Sequence, residues 1–294
     1  MLKTIIGPII GIAICILSTQ SIAYAVSIDN SLTFNYIALL TIGLQWMCFI
    51  HASGLFGNER TEKYYDLMGS ATYIMAIIIN SSISKHYSMR IALLNLLVLL
   101  WTLRLGTFLF IRIKRNKGID SRFAEFKINN YRFLMVWTLQ GVWVFIVLLP
   151  LLIITQREVN FQFKALDYIG CMFFICGLLL EAIADYQKFK FASESKNKGK
   201  FISSGLWKYS RHTNYFGEIL LWSSIAVIAY SGTQSYLVFI SPAFVATLLV
   251  FGSGIPILEK NADAKFVKDE KYQIYKKLTP VLVPFIGRAG NAMF

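Results

Sequence analysis

The chain has 294 residues, of which 56% are hydrophobic and 15% charged, with a mean hydropathy of +0.55. A soluble domain carries about 25% charged residues, so a water-solvated globule is excluded and the bilayer is the solvent to argue from. The net charge of +13 reads as loop charge on one side of a membrane rather than a nucleic-acid footprint, because no basic and aromatic platform stands apart from the apolar runs.

In chain order the first stretch is MLKTIIGPIIGIAICILSTQSIAYA. It suits a first transmembrane helix or a cleavable signal peptide, and its long apolar run favours the helix. Eight apolar spans follow from hydropathy, at roughly 5–26, 34–54, 67–83, 89–111, 133–155, 166–187, 216–230 and 236–256. The seventh is short. Basic residues crowd three connections: Arg112, Lys114, Arg115, Lys117, Arg122, Lys127 and Arg132 in one, Lys188, Lys190, Lys196, Lys198, Lys200, Lys208 and Arg211 in the next, and Lys260, Lys265, Lys268, Lys271, Lys276, Lys277 and Arg288 in the tail. The segment 231–235 has no Lys or Arg, and 27–33 has only Asp29 as a charged residue. Eight spans place all three basic segments in the cytoplasm, with both termini there. The expected fold is an all-α integral membrane protein, a bundle of seven to eight transmembrane helices with a cytoplasmic C-terminal cap. It reads as a single membrane domain over 1–294, with 1–26 as the first helix or signal peptide and 257–294 as tail.

Cys15, Cys48, Cys171 and Cys176 form no CxxC pair, and His51, His86 and His212 have no metal-ligand spacing. No metal is expected.

Ionisable side chains at membrane depth cost at least ~2.5–3.5 kcal/mol on insertion scales. Arg104 lies inside the fourth span, and Glu181 and Asp185 share one face of the sixth. Glu218 opens the seventh. Glu62, Lys63, Tyr64, Tyr65 and Asp66 sit at the base of the third. An ion pair of Arg104 with Glu181 or Asp185 would account for two of these. Together, at the cytoplasmic ends of several helices, they suggest a ligand cavity.

GLWKYSRHTNYFGE, residues 205–218, carries the densest polar set. A helix starting near Thr213 puts Asn214 and Glu218 on one face, with Arg211 and His212 just before its first turn. Such a helix start suits an anion, and an arginine fork suits a phosphate. A juxtamembrane anchor on anionic headgroups would explain Lys208, but not Asn214 and Glu218. Further on, FGSGIPILEK contains Gly252 and Gly254, which suggest close helix packing, and Glu259. The tail DEKYQIYKKLTPVLVPF reads as an interfacial cap over a cofactor pocket.

TEKYYDLMGS, WTLRLGTFLFIRIKRNKGIDSRF, EAIADYQKFKF, GLWKYSRHTNYFGE, SGIPILEK and YQIYKKLTPVLVP, in this order over roughly 35–288, resemble the bacterial DUF1295 proteins, which belong with the steroid 5-alpha-reductase-like membrane enzymes. The resemblance implies NADPH on the cytoplasmic side of a bacterial inner-membrane enzyme. It also implies hydride delivery to an activated carbon–carbon double bond, as in the enone of a steroid-like lipid entering from the bilayer. Carried over by motif, Asn214, Glu218 and Asp185 serve the nicotinamide cofactor, and Tyr209 sits in a matching segment. Arg211, His212, Lys188 and Lys190 are phosphate candidates, with Glu181 and Arg104 completing the cofactor side. Thr213 replaces the family's usual Pro, and can cap the helix. Trp101 stands where the catalytic Tyr of steroid reductases would fall, so Tyr65, Asp66, Glu62 and Tyr64 are the candidate donor system. The competing readings are an S-adenosylmethionine-dependent methyltransferase of the isoprenylcysteine or phospholipid type, and a non-catalytic lipid binder on the same fold.

Overall fold

In a computed structural model the described residues are 2–27, 32–55, 60–84, 87–159 and 162–286. Asp29, His86 and Arg288 lie outside the described residues. Eleven α-helices are found among the described residues, with no strand. They are α1 Leu2–Val26, α2 Thr33–Ala52, α3 Tyr65–Ile83, α4 Met89–Arg115, α5 Asn130–Val147, α6 Leu149–Arg157, α7 Ala165–Ser193, α8 Thr213–Thr233, α9 Ile240–Phe251, α10 Ile255–Phe266 and α11 Glu270–Leu278. Among the described residues seven helical stretches are long and apolar enough to cross a membrane. An eighth is counted if the bent pair α5 and α6 forms one span.

The expected fifth span, 133–155, is therefore not one straight helix. It bends by 41° between α5 and α6, where Pro150 stands in the first turn of α6. Proline has no N–H to continue the ladder of the preceding helix and clashes with it. The seventh span is longer than expected, since α8 runs for 21 residues. The last is broken between α9 and α10. There a Cβ on Gly254 would lie 2.7 Å from Leu249 Cα, and one on Gly252 3.0 Å from the Leu248 carbonyl oxygen. These two glycines permit a tight local break.

The chain divides into two compact units. The first is Met1–Phe163 with Ala229–Ile240, and the second is Lys164–Ile228 with Ser241–Phe294. In the first, α5 approaches α2 so closely that a Cβ on Gly141 would sit 2.7 Å from Ile42 Cα. Small residues allow such contact where lipid supplies no hydrophobic drive. Polar bonds then join the helices: Gln45 donates to Thr72 Oγ1 at 2.7 Å, and Trp46 to Thr138 Oγ1 at 2.9 Å. Phe49, Phe123, Phe133 and Trp137 fill the core at one end. Large apolar side chains such as Ile14, Met47, Ile78 and Leu103 stay exposed, a surface that only lipid would leave soluble.

Candidate functional site

In the second unit α7 starts where Asp167 accepts from the Lys164 N–H at 2.7 Å. It then meets α8 main chain to main chain. A Cβ on Gly177 would lie 2.7 Å from the Gly217 carbonyl oxygen, and one on Gly217 2.6 Å from that of Gly177. The same Cβ on Gly217 would stand 2.7 Å from the Glu181 nitrogen, so Glu181 and Gly217 are level. One turn along each antiparallel helix brings Asp185 to Asn214, whose amide donates to the carboxylate at 3.1 Å. Glu181 is 3% exposed, and Glu218 follows Gly217 directly. Asp185, Asn214 and Glu181 thus meet at one helix crossing, with Glu218 next to Gly217 along α8.

The approach to α8 is held by the end of α7. Gly205 turns with φ +62°, a conformation that favours glycine, and lets the Leu206 N–H reach Gln187 Oε1 at 2.9 Å. The Trp207 indole donates to the Ala184 carbonyl at 3.0 Å, and the Lys188 ammonium lies 4.6 Å from the Trp207 ring. The Thr213 hydroxyl donates back to the carbonyls of Leu206 at 3.1 Å and Ser210 at 3.2 Å.

Arg211 and His212 are held by a residue that sequence reading left aside, Glu259 in α10. Arg211 Nη2 pairs with Glu259 Oε2 at 3.0 Å, and His212 Nε2 with Oε1 at 2.8 Å. Arg211 also donates to the carbonyls of Lys276 and Thr279. Its own N–H meets the Pro280 carbonyl at 2.9 Å. Burial pushes the His212 pKa below its ordinary 6.5, against the opposing pull of Glu259. A neutral imidazole donating through Nε2–H fits that carboxylate. No spacing in the sequence pairs Glu259, in SGIPILEK, with Arg211 and His212; the two segments meet only in three dimensions.

The tail covers this segment. Tyr275 donates to the Trp207 carbonyl at 2.7 Å and Ser210 to that of Leu282 at 2.7 Å. The Tyr209 and Phe285 rings lie 4.9 Å apart. Burial raises the Tyr275 hydroxyl pKa, and burial with the Asp263 bond pushes that of Tyr272 up to about 12, so both stay protonated donors. Lys188 and Lys190 are exposed. An open groove of about 620 Å³ is lined by Gly199, Lys265, Phe266, Lys268, Asp269, Glu270 and Lys271, so it carries two carboxylates beside its three ammonium groups.

The remaining candidates belong to the first unit. Glu62, buried, accepts from the Asp120 N–H at 2.8 Å and pairs with Lys127 at 2.6 Å. Asp66 lies 3.7 Å from Arg112 and 3.6 Å from Arg122. Arg122 also grips Asp120 at 2.6 Å and holds its carboxyl below the usual range against burial. The Tyr65 hydroxyl donates to the Val136 carbonyl at 3.0 Å, and its ring packs on Phe123 and Trp137. Tyr64 is exposed. The Arg104 guanidinium is 5.8 Å from the Phe108 ring, and Trp101 is buried edge-on to Tyr73. Among the described residues no group of three His, Cys, Asp or Glu could hold a metal ion.

No solved structure matches the chain. An uncharacterized protein of Schizosaccharomyces pombe is 25% identical to it over 225 residues, which is 64% of this chain. That match spans 61% of the yeast protein's own length. A family model described as a protein of unknown function, DUF1295, matches residues 55–279, from before Glu62 to beyond α11. That stretch contains both candidate groups, and the chain belongs to the DUF1295 family.

Proposed function

We propose that this chain is a membrane-embedded NADPH-dependent reductase of an activated C=C bond in a lipid-like enone, akin to the steroid 5-alpha-reductase-like enzymes. The observation that carries the reading is the acid–amide pair of Asp185 and Asn214, held by a main-chain helix crossing with Glu181 beside it. Such a pair complements a carboxamide, which both donates and accepts. The residues fit the phosphates in an altered way. Arg211 and His212 are engaged with Glu259, so phosphate recognition falls to the exposed Lys188 and Lys190, which carry point charges.

When bound, NADPH supplies the hydride. The chain's own residues do the rest. Asp185 and Asn214 orient the carboxamide, Glu218 and Glu181 shape the floor, and Tyr209 with the tail excludes water. At the base of α3 the Tyr64 hydroxyl is the exposed donor for a substrate carbonyl oxygen, where it would stabilise developing negative charge. Glu62, Tyr65 and Asp66 hold that base in place. In this reading the termini and the three basic segments face the cytoplasm, where nucleotides are available.

The test is thermal stabilisation of the detergent-purified protein by NADPH, NADH and S-adenosylmethionine. Ligand at ~100 times its dissociation constant stabilises by ~2.7 kcal/mol, and Asn214→Ala should abolish the NADPH shift. A shift with S-adenosylmethionine and none with NADPH overturns the reductase in favour of the methyltransferase. Cofactor binding with no turnover on an enone panel favours a lipid binder.

A further inference from the structure

Residues 155–159, TQREV, leave α6 at the end of the first unit away from Glu62 and Asp66, and four of them bond to four different helix ends. The Thr155 hydroxyl donates to Asn80 Oδ1 in the last turn of α3 at 3.3 Å. Arg157 donates to the Val26 carbonyl closing α1 at 2.8 Å. Glu158 Oε1 receives Arg90 Nη1 from the first turn of α4 at 2.6 Å. The Val159 N–H reaches the Gly232 carbonyl in the last turn of α8 at 3.0 Å.

The Arg90–Glu158 pair is the centre of this set, with side chains 0% and 1% exposed. Arg90 also donates to the Gln162 carbonyl at 2.5 Å and lies 5.5 Å from the Phe163 ring. Gly232 leaves it room, since a Cβ there would be 3.0 Å from Nη1. At the other end of the unit the pairing of Asp66 with Arg112 is longer, 3.7 Å, and the arginine is 36% exposed. That end also holds a tight pair, Lys127 with the buried Glu62 at 2.6 Å, but its Asp66 pairings with partly exposed arginines are longer than the Arg90–Glu158 contact.

A buried ion pair gains little net stability, because desolvation offsets the attraction. What it does supply here is a single arrangement of four helix ends that are distant in sequence. The set is not saturated either. Glu158 Oε2, Gln156 Oε1, Arg157 Nε and Asn80 Nδ2 are buried without a hydrogen-bond partner among the described residues. Opening would let water reach those atoms, which offsets part of the loss of the pair.

We propose that residues 155–159 with Arg90 form a polar lock that keeps this end of the first unit shut to water and solutes. The proposal stands apart from the choice of cofactor. The test uses the full chain in proteoliposomes. Hydrogen exchange is followed over 80–95 and 155–159, with labelling by a membrane-impermeant maleimide of a cysteine placed at Leu94, buried one turn beyond Arg90, in a background without the four native cysteines. The parent should resist both probes. Arg90→Gln and Glu158→Gln should each speed exchange there about tenfold or more and expose the cysteine, while exchange around Asp185 and Asn214 stays unchanged. The reversed pair, Arg90→Glu with Glu158→Arg, should restore protection if the single variants lose it. Unchanged exchange and labelling in both single variants overturns the lock. So does loss spread evenly over the chain that the reversed pair fails to repair.

Discussion

Arg90 and Arg211 each bind a glutamate far along the chain, yet they solve different problems. Arg90 is wholly buried, and its acid has a single cationic partner among the described residues. Arg211 keeps 9% of its side chain exposed and its acid 20%, and His212 shares that acid. Arg211 is also tied to main-chain carbonyls of the tail. The first pair is a closure in a dry place. The second is a brace at a polar edge, with redundant partners that tolerate the loss of one. Burial and redundancy, more than the shared Arg–Glu chemistry, set what each is worth.

The comparison breaks most visibly at Arg90. Arg90→Gln leaves Glu158 buried and unpaired, and should cost about 3–5 kcal/mol, read as a lowered melting temperature in detergent. Arg211→Gln should cost less, because His212 remains on Glu259. If the two melt alike, the distinction fails. Next in size is the scaffold behind the second brace. Gly217→Ala places a Cβ against the Gly177 carbonyl and should cost about 1–3 kcal/mol as overpacking. It should also weaken any NADPH-induced shift, whereas Gly43→Ala, with open space around it, should do neither.

The smallest effect is the dependence on pH. Burial lowers the His212 pKa, so below about 6.5 the unfolded chain takes up a proton that the folded protein resists. Stability from this residue is present above that pH and is lost as pH falls. The melting temperature should drop between pH 7 and pH 5 by more in the parent than in His212→Gln. Equal drops would show that His212 is not the group responsible.

Much of the fold was legible because lipid imposes it. Long apolar runs with basic connections can only be helices; seven of the eight stretches read from hydropathy reappear as spans, and the eighth, 133–155, as the bent pair α5 and α6. The bend at Pro150 was visible as a residue but not as an angle, because tertiary packing decides whether proline kinks a span or ends it. Asp185, Asn214, Glu181 and Glu218 were readable as helix-face patterns. Glu259 was not, since its partners are nearly fifty residues away and the α9–α10 break that aims it has no periodic signature. Arg90 and Glu158 were missed for a related reason. Each sits at the edge of an apolar span, where a charge ordinarily meets water. Arg211 and His212 were read as phosphate candidates from their place before a helix, and only coordinates reveal the acid already holding them.

The glycine contact between α7 and α8 bears on how such a protein could diversify. With two backbones touching at Gly177 and Gly217, the gap between positions 185 and 214 is inherited from the main chain. Drift elsewhere in the unit cannot stretch it. A longer acid at 185 would have to fold back or tilt a whole helix, so new specificities in this architecture are channelled into residues that project from the crossing. The crossing itself stays a fixed ruler.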